Sequence, residues 1–246
     1  IESKELDDLT QAAEGAEAVV HFYEARLNDE DASYQANIQS TLNVLKVLGA
    51  QKFTGPLIYA SSAAVYGDMA ASPQVEHRLG TPLSLYAKHK QQVEKYMEMY
   101  GLLHKFKHLG LRLFNVYGPG EDGNDKNASA IARFGLQAKN GKALTIFGKG
   151  ELVRDFVHVD DVAKAVEAAL TATKVGVVNV GTGEGIQLMN LAETISKKIT
   201  KKQPSIEYID APEERQIPSS IADLRRLKDW LGVTPAIKVD KGLDDI

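Results

Sequence analysis

Tyr86 and Lys90 stand four residues apart in LYAKHK (85–90), and Ser62 lies 24 residues before the tyrosine in LIYASSAAVYG (57–67). Residues four apart share one face of a helix, so the phenol and the ammonium point the same way. A nearby ammonium favours the phenolate and lowers the tyrosine's pKa. That suits Tyr86 to accept a proton near neutral pH, where a free tyrosine, pKa about 10, is a poor base. Ser62, at the end of a strand, can hold the same substrate hydroxyl by a hydrogen bond. One Ser, one Tyr and one Lys then converge on an alcohol carbon. A Tyr-x-x-x-Lys pair by itself is common on ordinary surface helices; the Ser-Ser-x-x-Val-Tyr-Gly turn ahead of it is what gives the pair a chemical reading.

The elements that must position these residues alternate in type. Residues 3–14 read as a helix with Gly15 at its C-cap. Residues 16–22 read as a short buried strand. Residues 31–50 form a long helical pattern with Ile38, Leu42, Leu45 and Leu48 at helical spacing. The strand from Leu57, the Tyr86 helix and a strand over 107–116 follow. This alternation implies βαβ units and a parallel sheet covered on both faces. Ligands bind beyond the carboxyl ends of such strands, where Ser62 and Asn115 fall. Past Phe114 a loop rich in Gly and Asn leads to a helix at about 128–140 and strands at 144–151 and 154–159. A helix capped by Asp160 or Asp161 comes next, then a strand over 177–181. A helix over 187–199, a strand over 205–209 and a helix over 222–232 close the chain. Gly181 to Gly185 reads as a turn.

FNVYGPG (114–120), LTIFGKGELVRDFVHVDDVA (144–163) and VVNVGTG (177–183) extend the Ser turn and the Tyr-x-x-x-Lys pair. With them the chain resembles the extended short-chain dehydrogenase/reductase superfamily, and within it the NAD-dependent nucleotide-sugar epimerases and dehydratases, over nearly its whole length. The resemblance implies an α/β fold: a Rossmann-type doubly wound parallel sheet, N-terminally incomplete, with a smaller C-terminal α/β substrate-binding region. Residues 1–115 with 153–172 would form the nucleotide-cofactor domain, and 116–152 with 173–246 the substrate-binding region. The implied cofactor is NAD, with NADP possible, and the implied partner is a nucleotide-sugar substrate.

Carried over residue by residue, the catalytic group is Ser62, Tyr86 and Lys90. Cofactor contacts fall on His21, Phe22, Asn37, Ala60, Ser61 and Phe114, together with Tyr86 and Lys90. Substrate contacts fall on Ser62, Ala63, Ala64, Asn115, Arg154 and Arg215. Glu76 and Tyr66 resemble supporting positions. Sugar 4,6-dehydratases carry an Asp-Glu pair where this chain has Ala63-Ala64. Two methyl groups cannot eliminate water, so the reading is an epimerase: transient oxidation to a keto-sugar, then hydride return to the opposite face. UDP-glucose 4-epimerases are the nearest type. ADP-heptose 6-epimerases, with Lys126 as a second base, and a non-catalytic nucleotide-binding relative remain open.

The chain departs from the family at several places, one being EERQIPSSIAD (213–223), which keeps Ala222-Asp223 without the family's Arg-x-Gly-Asp before it, Arg215 being the candidate substitute. After His21 the family has two small residues, and here Phe22, Tyr23 and Glu24 follow. No opening strand, Gly-rich turn and helix is present to seat a pyrophosphate, so the chain is expected to be an N-terminally incomplete record of a longer protein. The composition bounds the rest: 246 residues, net charge −4, no Cys. That gives no electrostatic case for nucleic acid and excludes a disulfide framework or a Cys-based zinc site; no metal is expected. No apolar run approaches the ~20 residues of a membrane span. A cytoplasmic enzyme fits, and the resemblance implies a homodimer pairing through the helices around 31–49 and 85–100.

Overall fold

The computed structural model describes residues 3–25, 29–210 and 217–245. Arg215 lies outside the described residues. The first half runs α1 (Ser3–Ala13), β1 (Val19–His21), α2 (Glu30–Tyr34), α3 (Ser40–Ala50), β2 (Pro56–Ser62), α4 (Leu85–His104) and β3 (Lys107–Leu113). The second half runs β4 (Asn115–Tyr117), α5 (Ala130–Lys139), β5 (Leu144–Phe147), β6 (Val153–His158), α6 (Val159–Leu170), β7 (Gly176–Val180) and β8 (Gly185–Gln187). It ends with α7 (Leu188–Thr200), β9 (Ile206–Ile209), β10 (Ser219–Ser220), α8 (Arg225–Leu231) and α9 (Val239–Gly242). No helix among the described residues is long and apolar enough to cross a membrane.

β1, β2, β3 and β7 form one parallel sheet in that order. Parallel strands need both faces covered and so read as continuous apolar runs. Leu57, Ile58 and Tyr59 of β2 and Leu109 and Leu111 of β3 are accordingly buried. Ile58, Leu109, Leu111 and Val178 pack under Val162, Ala165 and Ala169 of α6. Leu57 and Tyr59 join Ile38, Leu45 and Leu48 and the α4 residues Val93 and Met97 on the other face. A second sheet runs β10-β6-β4, with β8 antiparallel on β6, and β5 pairs with β9. Two strands fall across the expected division of the chain: β6 pairs outside the four-stranded sheet, and β7 pairs inside it.

The expected strand over 107–116 is two strands in two sheets. Leu113 pairs with Val180, whereas Asn115 pairs with Phe156. The chain changes sheet at Phe114, whose ring is buried beside Val65, Tyr66 and Ala222. The long helix over 31–50 is also interrupted: Gln35–Gln39 is a π-helical turn between α2 and α3. Such turns are rare and favour functional sites; this one buries Asn37. The cap of α6 is His158, whose Nδ1 accepts from Asp160 N at 3.3 Å, and not Asp160 or Asp161. Asp161 instead accepts from the backbone N–H groups of Ala236 and Ile237 at 2.9 and 2.8 Å.

Candidate active site

β2 delivers Ser62 to the mouth of a cavity of about 1560 Å³ that also receives residues from α4, β4, α5 and β6. The chain leaves β2 through a 3₁₀ turn, Ala63–Tyr66, and Ser62 Oγ accepts from Ala64 N at 3.2 Å. That bond uses an oxygen lone pair and leaves the hydroxyl proton to donate into the cavity. Gly67 ends the turn at φ 55°, where a Cβ would lie 1.8 Å from Thr81 O. Only glycine fits there, and the turn keeps Ala63 and Ala64 on the cavity wall.

Ser84 caps α4, its Oγ accepting from Ala87 N at 3.1 Å. The cap fixes the first turn and aims Tyr86 at the cavity. Lys90, one turn on, is 4% exposed and its Nζ lies 5.7 Å from the centre of the Tyr86 ring. Its ammonium donates to Ala60 O at 2.8 Å and pairs with the carboxylate of Glu24. The other oxygen of Glu24 accepts from the Tyr86 hydroxyl at 2.9 Å. A buried ammonium is tolerated only when paired and hydrogen-bonded, and Glu24 with Ala60 meets that need. Ser62 and Tyr86 thus line one cavity with Lys90 behind the tyrosine, and Glu24, expected only to add bulk, brings a carboxylate to both Tyr86 and Lys90.

The other expected cofactor residues divide. Phe22, Ser61 and Phe114 reach the cavity wall, as does Glu24. His21, Asn37, Ala60 and Lys90 stand one layer behind it. His21 Nε2 meets Thr41 Oγ1 at 3.0 Å. The Thr41 proton goes to Asn37 O, so the imidazole nitrogen is the donor. Burial, then the Lys90 charge, push His21 down to about 4 against the opposing pull of Glu24. Asn37 does not face the cavity: its Nδ2 donates to Ala25 O at 2.8 Å and its Oδ1 accepts from Ala25 N at 3.1 Å. This pair of bonds fixes the backbone next to Glu24. The Ser61 hydroxyl turns inward to Glu94 Oε1 at 2.6 Å.

On the substrate side, Asn115 and Arg154 both line the cavity. Asn115 Nδ2 donates to Asp155 O at 2.8 Å. Arg154 Nη1 donates to Val153 O and Ile217 O, each at 2.8 Å. Asp155, next to it, is wholly buried. Its carboxylate accepts from Thr182 N, Thr182 Oγ1, Gly183 N and Ala222 N, and so the Gly-rich string at 181–185 is a turn held by an aspartate. Burial pushes the Asp155 carboxyl up, opposed by these bonds. Lys126 is exposed and absent from the cavity wall. Among the described residues, no three His, Asp or Glu side chains are grouped to hold a metal.

The residues present fit the nicotinamide half of a dinucleotide. Phe22, Ser61, Tyr86 and Phe114 line the cavity, and the Lys90 ammonium lies beside the Tyr86 ring, a wall of rings with a cation next to it. The spacing Gly-x-Gly-x-x-Gly occurs once, at 118–123. Those glycines lie in the loop after β4, where a Cβ on Gly118 would strike Val159, and not at a strand-to-helix turn.

A sequence model of the NAD dependent epimerase/dehydratase family matches residues 2–181. An ADP-L-glycero-D-manno-heptose-6-epimerase of Brachyspira hyodysenteriae is 31% identical over 97% of this chain and 77% of its own length. A putative UDP-glucose 4-epimerase of Methanocaldococcus jannaschii is 30% identical over 99% of this chain and 79% of its own. Among solved structures, a UDP-N-acetylglucosamine 4-epimerase from Methanobrevibacter ruminantium, in complex with UDP-N-acetylmuramic acid, superposes with a TM-score of 0.90 at 28% identity. That superposition covers 97% of this chain and 77% of the other.

Proposed function

Because this chain belongs to the NAD dependent epimerase/dehydratase family, we propose that the Ser62–Tyr86–Lys90 site inverts one carbon of a nucleotide sugar. The carrying observation is that Tyr86, Ser62, Ala63 and Ala64 line one cavity with Lys90 directly behind the tyrosine. NAD, when bound, supplies the hydride acceptor and donor. The chain does the remainder. Tyr86 takes the proton of the sugar hydroxyl and gives it back. Ser62 donates to that oxygen as it becomes a carbonyl. Lys90 holds positive charge beside the phenol. Ala63 and Ala64 offer no acid or base for elimination, so the keto-sugar is reduced again and not dehydrated.

Arg154 and Asn115 are the proposed diphosphate and sugar contacts, a guanidinium being suited to two phosphate oxygens at once. The four-stranded sheet is the cofactor side, and β4 to β6 with the 181–185 turn are the substrate side. A UDP-sugar is favoured over an ADP-heptose because Lys126, the candidate second base, is exposed and off the cavity wall. A cytoplasmic homodimer belongs to the same reading; the exposed Tyr34 on α2 and Met99 and Leu102 on α4 support pairing.

The test is turnover of UDP-glucose, UDP-N-acetylglucosamine, UDP-glucuronate and ADP-heptose with NAD, read by NMR of the sugar. One of them should epimerise, and Tyr86→Phe should lose about 10²-fold or more in rate. A Tyr86→Phe protein as fast as the parent would end this reading.

A further inference from the structure

Glu24 is the side chain at the site that no role has yet absorbed. It lines the cavity and contacts both Tyr86 and Lys90. Tyr86 has one proton, and Glu24 Oε1 accepts it at 2.9 Å. A tyrosine whose hydroxyl is donated to a carboxylate cannot take a second proton unless the first moves on. The Glu24 carboxylate, already accepting from the phenol, is placed to receive it.

Nothing about this contact is loose. Asn37 grips both the N–H and the C=O of Ala25, next in the chain, and Lys90 holds the other carboxylate oxygen. Among the described residues, the charged and titratable groups facing Glu24 are Tyr86 and Lys90 from α4 and His21 from β1. His21 is neutral near pH 7, so the positive charge beside the Glu24 carboxylate is the Lys90 ammonium.

We propose that Glu24 is the proton-accepting partner of Tyr86, a positioning residue that works through the phenol; the proposal rests on the epimerase reading above. The sugar O–H bond breaks and its proton bonds to the Tyr86 oxygen. In the same movement the original Tyr86 O–H bond breaks and that proton bonds to Glu24 Oε1. The carbon gives up a hydride, which NAD, when bound, would accept together with its two electrons. The movement runs backward when the hydride returns, and Glu24 ends as a carboxylate. The phenol is never required to stand as a free phenolate.

The first measurement uses protein alone, without sugar or cofactor. Tyrosinate absorbance is followed against pH in parent, Glu24→Gln and Glu24→Asp proteins, each with and without Tyr86→Phe, so that the difference isolates Tyr86. A carboxylate beside a phenol opposes its ionisation. The Tyr86 step therefore moves to lower pH by about one unit or more in Glu24→Gln, and stays near the parent position in Glu24→Asp. An unmoved step in Glu24→Gln overturns the proposal. The second measurement is kcat against pH with NAD and the best sugar nucleotide. Glu24→Gln should lose about 10²-fold at neutral pH, regain rate as pH rises, and keep its KM for the sugar nucleotide; Glu24→Asp should recover part of the rate. A parent-like kcat profile in Glu24→Gln also overturns it. A tyrosinate step moved in Glu24→Gln, with a parent protein that turns over no nucleotide sugar, would sink the epimerase reading and leave the Glu24–Tyr86 coupling standing.

Discussion

Arg112 and Glu94 meet through two hydrogen bonds, Nε to Oε1 at 2.8 Å and Nη2 to Oε2 at 2.7 Å, between β3 and α4. Arg112 is 2% exposed. It also donates from Nη1 to the Tyr66 hydroxyl at 3.1 Å and to Glu76 O at 3.0 Å. Burial penalises its charge, but Glu94 more than offsets this and holds its pKa above the usual value. The Tyr66 hydroxyl donates to Asn179 Oδ1 at 2.5 Å, and burial pushes its phenol up to about 12. The same Glu94 accepts from Ser61. One buried network therefore anchors the strand end and the turn that carry Ser62.

Removing one member of such a pair leaves a buried charge without its partner. Arg112→Leu should cost about 3–5 kcal/mol in urea unfolding. The double change Arg112→Leu with Glu94→Leu should cost clearly less than the two single changes summed. Equal costs for the sum and the double would mean that the pair is not coupled.

Asp155 is the acceptor for three backbone N–H groups and one hydroxyl. Asp155→Asn keeps one acceptor oxygen and adds donors where donors already crowd. A loss of about 2–3 kcal/mol is expected, with faster amide hydrogen exchange at Thr182, Gly183 and Ala222. Unchanged exchange at these three amides would contradict the clamp.

His21 titrates at about 4 in the folded chain, against 6.5 as its ordinary value. The unfolded chain therefore binds a proton first as pH falls. The contribution of neutral His21 is fully present above about pH 6.5 and is lost as pH drops toward 4. The loss amounts to about 3 kcal/mol. His21→Asn should show a shallower fall in urea stability between pH 7 and pH 4 than the parent. Parallel curves would place the acid sensitivity elsewhere.

Arg154 reaches the cavity from β6 while its Nη1 holds two backbone carbonyls. If it binds the diphosphate, Arg154→Gln should raise KM for the sugar nucleotide by about tenfold or more, with a smaller effect on kcat. A KM equal to the parent's would remove Arg154 from the substrate contacts.

Much of the fold was legible because it is written locally. The apolar run of β2 read as a buried strand, and the four-residue spacing of Tyr86 and Lys90 read as one face of a helix. The departures are where distant neighbours decide. The π turn at Gln35–Gln39 turns Asn37 toward Ala25, and no spacing in 31–50 reveals an extra residue in one turn. Phe114 sends the chain from one sheet to another because its ring fits against Val65, Tyr66 and Ala222. The acidic residues after His158 look like caps, but Asp161 is claimed by the backbone at Ala236 and Ile237. Arg112 did leave a signal: an arginine inside an apolar strand requires a buried carboxylate. Which carboxylate answers it could not be read from the strand.

The sequence alone determined the family, the helix that aligns Tyr86 with Lys90, and the turn that presents Ser62 beside two alanines. These depend on periodicity and on hydrogen bonds spanning a few residues, so they are fixed by neighbours along the chain. Tertiary structure decided what those residues touch. Glu24 meets Tyr86 across 62 residues, and Asn179 meets Tyr66 across 113. Burial removes water as a partner, and each buried donor must then take whichever acceptor the packed elements bring within reach.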